Sequence, residues 1–108
     1  MKEPERGVNI RIAGNTENPS LLVLRAKGYN LTLWFSKSAS GEYHQNFDAE
    51  KDGCHFSATT AVELLGLVAM WEVRSDEWQT RPPEPYVCDI LYENSLTYDP
   101  EGNVIEDD

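Results

Sequence analysis

The fold rests on the stretch Thr60-Ala61-Val62-Glu63-Leu64-Leu65-Gly66-Leu67-Val68-Ala69-Met70-Trp71-Glu72-Val73-Arg74. Thr60 and Glu63 have the Thr-x-x-Glu spacing of a capping box, so a helix is expected from about Ala61 to Arg74. Its interior is almost entirely apolar. Glu63 and Glu72 stand nine positions apart, which at about 100° per residue puts them on opposite sides of the helix rather than on one wet face. Such a helix needs cover on two sides. A sheet supplies one cover, and either the 86–92 segment folded back or a second copy of the chain supplies the other. Gly66 costs about 1 kcal/mol of helix propensity relative to Ala, a cost that fits a point of close backbone approach.

Upstream of this helix the pattern reads as strands. Val8, Ile10 and Ile12 alternate with Asn9 and Arg11, the period of a half-buried strand, and Ala13-Gly14-Asn15 stops it. Leu21 to Ala26 is a near-continuous apolar run. With Lys27-Gly28 as a tight turn and Tyr29 to Ser36 rich in β-favouring residues, it reads as a hairpin. Lys37 to Glu42 is a polar loop, and Tyr43 to Ala49 alternates again. Tyr43, Gln45, Phe47 and Ala49 share one face of that strand, while His44, Asn46, Asp48 and Glu50 share a polar one, as expected for an edge or half-exposed strand. Asp52-Gly53 turns the chain into a short strand at Cys54 to Ala58. The expected fold is therefore α+β: an antiparallel sheet of four or five strands, mostly within residues 8–58, packed against one very apolar helix at about 60–74.

Downstream, Arg81-Pro82-Pro83-Glu84-Pro85 cannot continue a helix and suggests an extended connector. The apolar cluster Tyr86 to Tyr92 reads equally as a short helix or a strand. Leu96, Tyr98, Val104 and Ile105 suggest a last strand pair turned by Pro100-Glu101-Gly102-Asn103. Residues 1–108 fit the common size of a single domain, with residues 1–6 and 106–108 expected as flexible tails.

The net charge of −10 is concentrated in the second half. Up to Cys54 seven basic residues cancel seven acidic ones, whereas from His55 onward only Arg74 and Arg81 oppose twelve carboxylates. That field repels nucleic acid and anionic membranes and favours a basic protein partner. The 40% apolar content excludes a disordered chain, and no run approaches a membrane span or the core of a secretion signal. A cytoplasmic location is expected, with Cys54 and Cys88 as free, partly buried thiols.

The motifs of common chemistries are missing. Cys54 and His55 are sequential, so on a strand they point to opposite faces and cannot form a dyad. No Gly-x-Ser-x-Gly elbow, phosphate loop, Cys-x-x-Cys or His-x-x-x-His occurs, so neither a cofactor nor a metal is expected. Asp48, Glu50, Asp52 and Gly53 resemble the start of a calcium loop, but Thr59 stands where the bidentate Glu belongs.

The sequence thus favours a non-catalytic, protein-binding module with an acidic docking surface. Trp78 is the expected anchor, with Asp76, Glu77, Glu84 and Trp34 as further contacts. A bacterial toxin-neutralising, immunity-type inhibitor is one concrete form, because blocking a basic enzyme needs carboxylates and aromatic anchors but no chemistry. The competing reading is a small-molecule binder or small enzyme with a pocket between sheet and helix, lined by Trp34, Tyr43, Phe47 and Trp71 with His44 and His55 at its mouth. A third is a homodimeric accessory subunit joined through the 60–74 helix.

Overall fold

The computed structural model describes residues 7–106. The chain divides into two compact units, Met1–Asp76 and Glu77–Asp108. Within the first, a 3-10 turn at Gly14–Thr16 leads into α1 (Glu17–Ala26), followed by β1 (Asn30–Lys37), β2 (Tyr43–Lys51), β3 (Cys54–Ala58) and α2 (Ala61–Arg74). The second contains α3 (Val87–Glu93) and a hairpin of β4 (Thr97–Tyr98) and β5 (Val104–Ile105). The architecture of the described residues is α+β, with three α-helices where one was expected, and with a three-stranded antiparallel sheet plus a separate two-stranded one.

Two expected strands are absent among the described residues. Leu21 to Ala26 is the body of α1 rather than half of a hairpin. Pro19 falls in the first helical turn, where its missing N–H has no intrahelical role, and Glu17 and Arg25 suit the two ends of the helix dipole. Gly28, at φ 95°, is the residue just past the helix end and not a hairpin turn. Its N–H donates to the Arg25 carbonyl at 2.9 Å and the Tyr29 N–H to the Leu24 carbonyl at 3.1 Å, the paired bonds of a Schellman motif. Leu24 and Tyr29, which these bonds draw together, are both buried. Val8, Ile10 and Ile12 alternate as a strand would, yet they carry no regular structure and are 70%, 82% and 69% exposed.

The sheet order is β1-β2-β3, so β2 is the central strand and not an edge. Asp52 (φ 52°) and Gly53 (φ 83°) form the two-residue turn that pairs Lys51 with Cys54 and fixes the register of β2 on β3. α2 occupies the expected span. Thr60 caps it by accepting the Glu63 N–H at 3.1 Å, while the Glu63 carboxylate accepts the hydroxyls of Thr59 and Thr60 instead of closing a reciprocal box. Both helices lie on one face of the sheet. The core they enclose is small, built on Leu24, Tyr29, Ala49, Leu64 and Val68, with Leu31, Phe47, Phe56, Ala58 and Leu65 packed against it. Val68 and Leu64 lie at helical spacing and are fully buried, so α2 uses one stripe for the core.

In the second unit, 86–92 resolves as helix: Val87, Ile90 and Leu91 recur at helical spacing with Asp89 in the first turn. The 81–85 segment is not an extended connector. The Glu84 N–H donates to the Arg81 carbonyl at 2.7 Å and the Arg81 N–H to Glu84 Oε1 at 2.9 Å, which closes a turn over the prolines. The final hairpin forms as expected, with Asp99 Oδ1 accepting the N–H groups of Glu101 (3.0 Å) and Asn103 (2.8 Å) inside its loop. The expected tails at 1–6 and 107–108 lie outside the described residues, and Glu106 is exposed and without regular structure.

Candidate functional site

Alternation along the strands sorts the candidate residues. Phe47 and Ala49 of β2 face the helices, so His44, Asn46, Asp48 and Glu50 face away from them. Register then places His55, opposite Glu50, and Ser57, opposite Asp48, on that same open face. Trp34 joins them from β1, where it pairs with Asn46. Trp34, His44 and His55 therefore do not line a space between sheet and helices. The pocket expected there is corrected accordingly: of its residues only Phe47, half-buried, and Tyr43, 68% exposed, belong to the helix-facing side of the sheet.

Asp48 is the centre of the open face. Its Oδ1 accepts the Trp34 indole N–H at 2.9 Å and the Ser57 hydroxyl at 2.7 Å, and its Oδ2 lies 2.8 Å from His55 Nε2. The bond from Trp34, then that from Ser57, with His55 adding to them, holds the Asp48 carboxyl below its ordinary range. The residue types are those of a nucleophilic triad, but the connectivity is not. In a triad the imidazole stands between acid and hydroxyl to take the hydroxyl proton; here the carboxylate stands between His55 and Ser57 and engages both. The cluster orders three strands across their exposed side. Among the described residues no three His, Cys, Asp or Glu side chains are grouped to hold a metal ion.

A second polar cluster ties the helix ends to the sheet. Lys27 Nζ lies 2.6 Å from Glu72 Oε1, the Tyr29 hydroxyl donates to Glu72 Oε2 at 3.2 Å, and Lys51 Nζ donates to the Lys27 carbonyl at 2.6 Å while standing 5.3 Å from the Tyr29 ring centre. Lys27, followed by Tyr29 and the charge of Lys51, holds Glu72 below the usual carboxylate range. Burial, then the bond to Glu72, pushes the Tyr29 phenol up. Sequence reading missed this cluster, because its members come from three elements whose order in space the α1 misreading obscured.

The residues expected to dock a partner are divided between the units. Asp76 closes the first, with Trp34 anchored on its open sheet face and 42% exposed. Glu77, Trp78 and Glu84 belong to the second. There Trp78 is 45% exposed, Glu77 lies 3.7 Å from Arg81 Nε, and Glu84 is engaged by the Arg81 backbone. Neither cysteine forms a disulfide; Cys54 is half-buried on β3, and Cys88, expected to be partly buried, is exposed on α3. Cys54 and His55 stand on opposite faces of β3, as their adjacency requires.

Among residues 77–106 no side chain is buried and Asp99 alone is half-buried. Trp78, Tyr86, Val87, Ile90, Leu91 and Tyr92 are all exposed. The same segment carries Glu77, Glu84, Asp89, Glu93, Asp99, Glu101 and Glu106 against one cation, Arg81. None of the described helices is long and apolar enough to cross a membrane. No protein-family model, curated protein or solved structure matches the chain.

Proposed function

We propose that this protein is a non-catalytic binding module whose second unit docks a basic protein partner. The observation that carries the reading is the surface of residues 77–106, where large apolar side chains stand exposed in a segment that carries seven carboxylates and one arginine. Aromatic anchors such as Trp78, Tyr86 and Tyr92 supply contact area at low conformational cost, and the carboxylates steer and select a partner of opposite charge. Lysine and arginine around an apolar depression are the complementary surface. A toxin-neutralising inhibitor of a basic enzyme is one concrete form of this module, and catalysis is no part of it. The small-molecule alternative draws less support, since its two histidines lie on the sheet face away from the helices.

The test is capture of partners from lysate of the source cell at low and at high salt, with the wild-type chain and with Trp78→Ala and Asp89→Asn/Glu93→Gln variants. Release at high salt, together with weaker capture by both variants, is the expected result. Capture that ignores salt, or that both variants retain in full, overturns the reading.

A further inference from the structure

β1 is an edge strand, paired with β2 on one side only. The Ser38 N–H donates to the Glu42 carbonyl at 2.8 Å, and bonding alternates from there, so Thr32, Trp34 and Ser36 turn their backbone groups toward β2. Leu31, Leu33, Phe35 and Lys37 turn theirs outward, and among the described residues of the first unit nothing bonds to them. Their side chains lie on the helix side of the sheet, where Leu33 and Phe35 remain 50% and 57% exposed. A second incomplete piece stands at the other end of α1. Val8, Ile10 and Ile12 alternate with Asn9 and Arg11 in an arm without regular structure, and each of the three apolar side chains is at least 69% exposed. The arm ends on Ala13, which is extended at φ −161° and ψ 177°. Its departure from α1 is fixed, because the Thr16 N–H and hydroxyl both donate to the Ala13 carbonyl, at 3.0 and 2.6 Å, and the Ala13 N–H donates back to the Thr16 hydroxyl oxygen at 3.4 Å. A bonded turn thus holds the arm off its own sheet.

We infer that the arm of residues 8–12 adds as a strand to the outer edge of β1 in a second copy of the chain, and that the exchange is mutual. Each piece supplies what the other lacks: the edge has unpaired backbone groups beside exposed apolar side chains, and the arm has an apolar alternation with no ladder to join. With Ile10 beside Leu33, Val8 and Ile12 fall beside Leu31 and Phe35 whichever way the arm runs. The exposed apolar side chains of both pieces then meet on the helix side of the sheet. Asn9 and Arg11 come up on the open face. That face carries the carboxylates of Asp48 and Glu50 and neither lysine nor arginine, so the Arg11 guanidinium is the charge it lacks. A second β1 in place of the arm would bring Thr32, Trp34 and Ser36 to that face, no cation among them, and would leave the arm itself bare. An arm and an edge on one body, held apart within it, close into a pair when exchanged between two.

This exchange involves only the first unit and stands apart from docking by residues 77–106, so its test needs no other partner. Sedimentation equilibrium on the full chain across a micromolar range is expected to give twice the 12.3 kDa of one chain. Ile10→Asp alters a side chain that is 82% exposed in the single chain, so circular dichroism should not move while the mass returns to that of one chain. The edge of that variant is left free. A capped peptide of residues 7–13 is expected to bind it saturably in calorimetric titration, and the same peptide carrying Ile10→Asp is expected not to. A single-chain mass for the wild type overturns the inference, and so does a dimer that survives Ile10→Asp, since that dimer uses another face. Absence of binding by the natural peptide up to about 1 mM overturns it as well, because the edge then does not take the arm.

Discussion

Glu17 caps a helix that is not its own: its Oε1 accepts the Ala61 N–H at 3.0 Å, so the first turn of α1 satisfies an amide at the start of α2. Thr60 serves the Glu63 amide of the same turn, and two of the four unpaired N–H groups at that terminus are thereby bonded. Glu17→Ala leaves the Ala61 amide without its acceptor in a half-buried place. A loss of about 1 kcal/mol in urea unfolding is expected, comparable to removing a local cap. No change in midpoint would show that water replaces Glu17 at no cost.

Acid should destabilise the first unit through two carboxylates. Asp48 is held below its ordinary range mainly by the Trp34 indole, and Glu72 mainly by Lys27. A carboxyl lowered in the folded state binds fewer protons there than in the unfolded chain. Its stabilisation is complete above the unfolded value and disappears as pH falls through the folded one, so melting temperature should decline from about pH 5 downward. The Asp48→Asn/Glu72→Gln double variant should melt lower at neutral pH and lose less on acidification. An acid-induced decline as large as that of the wild type would place the effect in other groups.

Leu64 is fully buried at the centre of a core whose largest fully buried side chains are Leu24, Leu64 and Val68. With so few residues sharing the burial, Leu64→Ala should remove about 2–5 kcal/mol, a large fraction of the stability of a small unit. Denaturant titration followed by the fluorescence of Trp34 and Trp71 reads it. A loss below about 1 kcal/mol would mean that the helices close over the cavity.

Gly28 has φ 95° and closes α1, while the space a Cβ would enter holds only the flexible end of Lys51 at 3.5 Å. Gly28→Ala should therefore cost about 1 kcal/mol through backbone strain rather than through a clash. Truncating Lys51 in the same chain should not restore it, and restoration in the thermal melt would reassign the cost to contact.

Hydrogen exchange should divide the chain. Every buried residue among those described lies before Asp76, whereas residues 77–106 hold a short helix and hairpin with exposed side chains. Amides of α2 and β2 should be the slowest, and those of α3 should exchange far faster in the isolated protein. Equal protection in both would indicate that the second unit is covered in solution.

Much of this was legible in residues. The Thr60-x-x-Glu63 cap, the alternation of 43–49 and the Asp52-Gly53 dipeptide each act locally, so α2, β2 and the β2–β3 hairpin follow from them. α1 was not, because five apolar residues between Leu21 and Ala26, interrupted only by Arg25, are too few to show a helical period, Pro19 is as acceptable in a first turn as before a strand, and glycine at position 28 serves a helix end as well as a hairpin. Val8 to Ile12 shows the converse: alternation describes a strand only where an edge is there to receive it. The Asp48 cluster had a usable signal. A two-residue turn at 52–53 sets Asp48 opposite Ser57 and Glu50 opposite His55, and the same alternation that puts Phe47 against the core takes both histidines away from it. The residues proposed to meet a partner had none beyond charge, since exposure of 77–106 depends on packing that no local pattern encodes.

The distribution of burial has a consequence for how this chain changes over generations. A substitution among residues 7–76 must answer to a small core and two polar clusters, whereas one among 77–106 displaces no buried side chain. The binding proposed for that segment would therefore be free to drift quickly and to be rewritten for a new target, while the scaffold before it stays still.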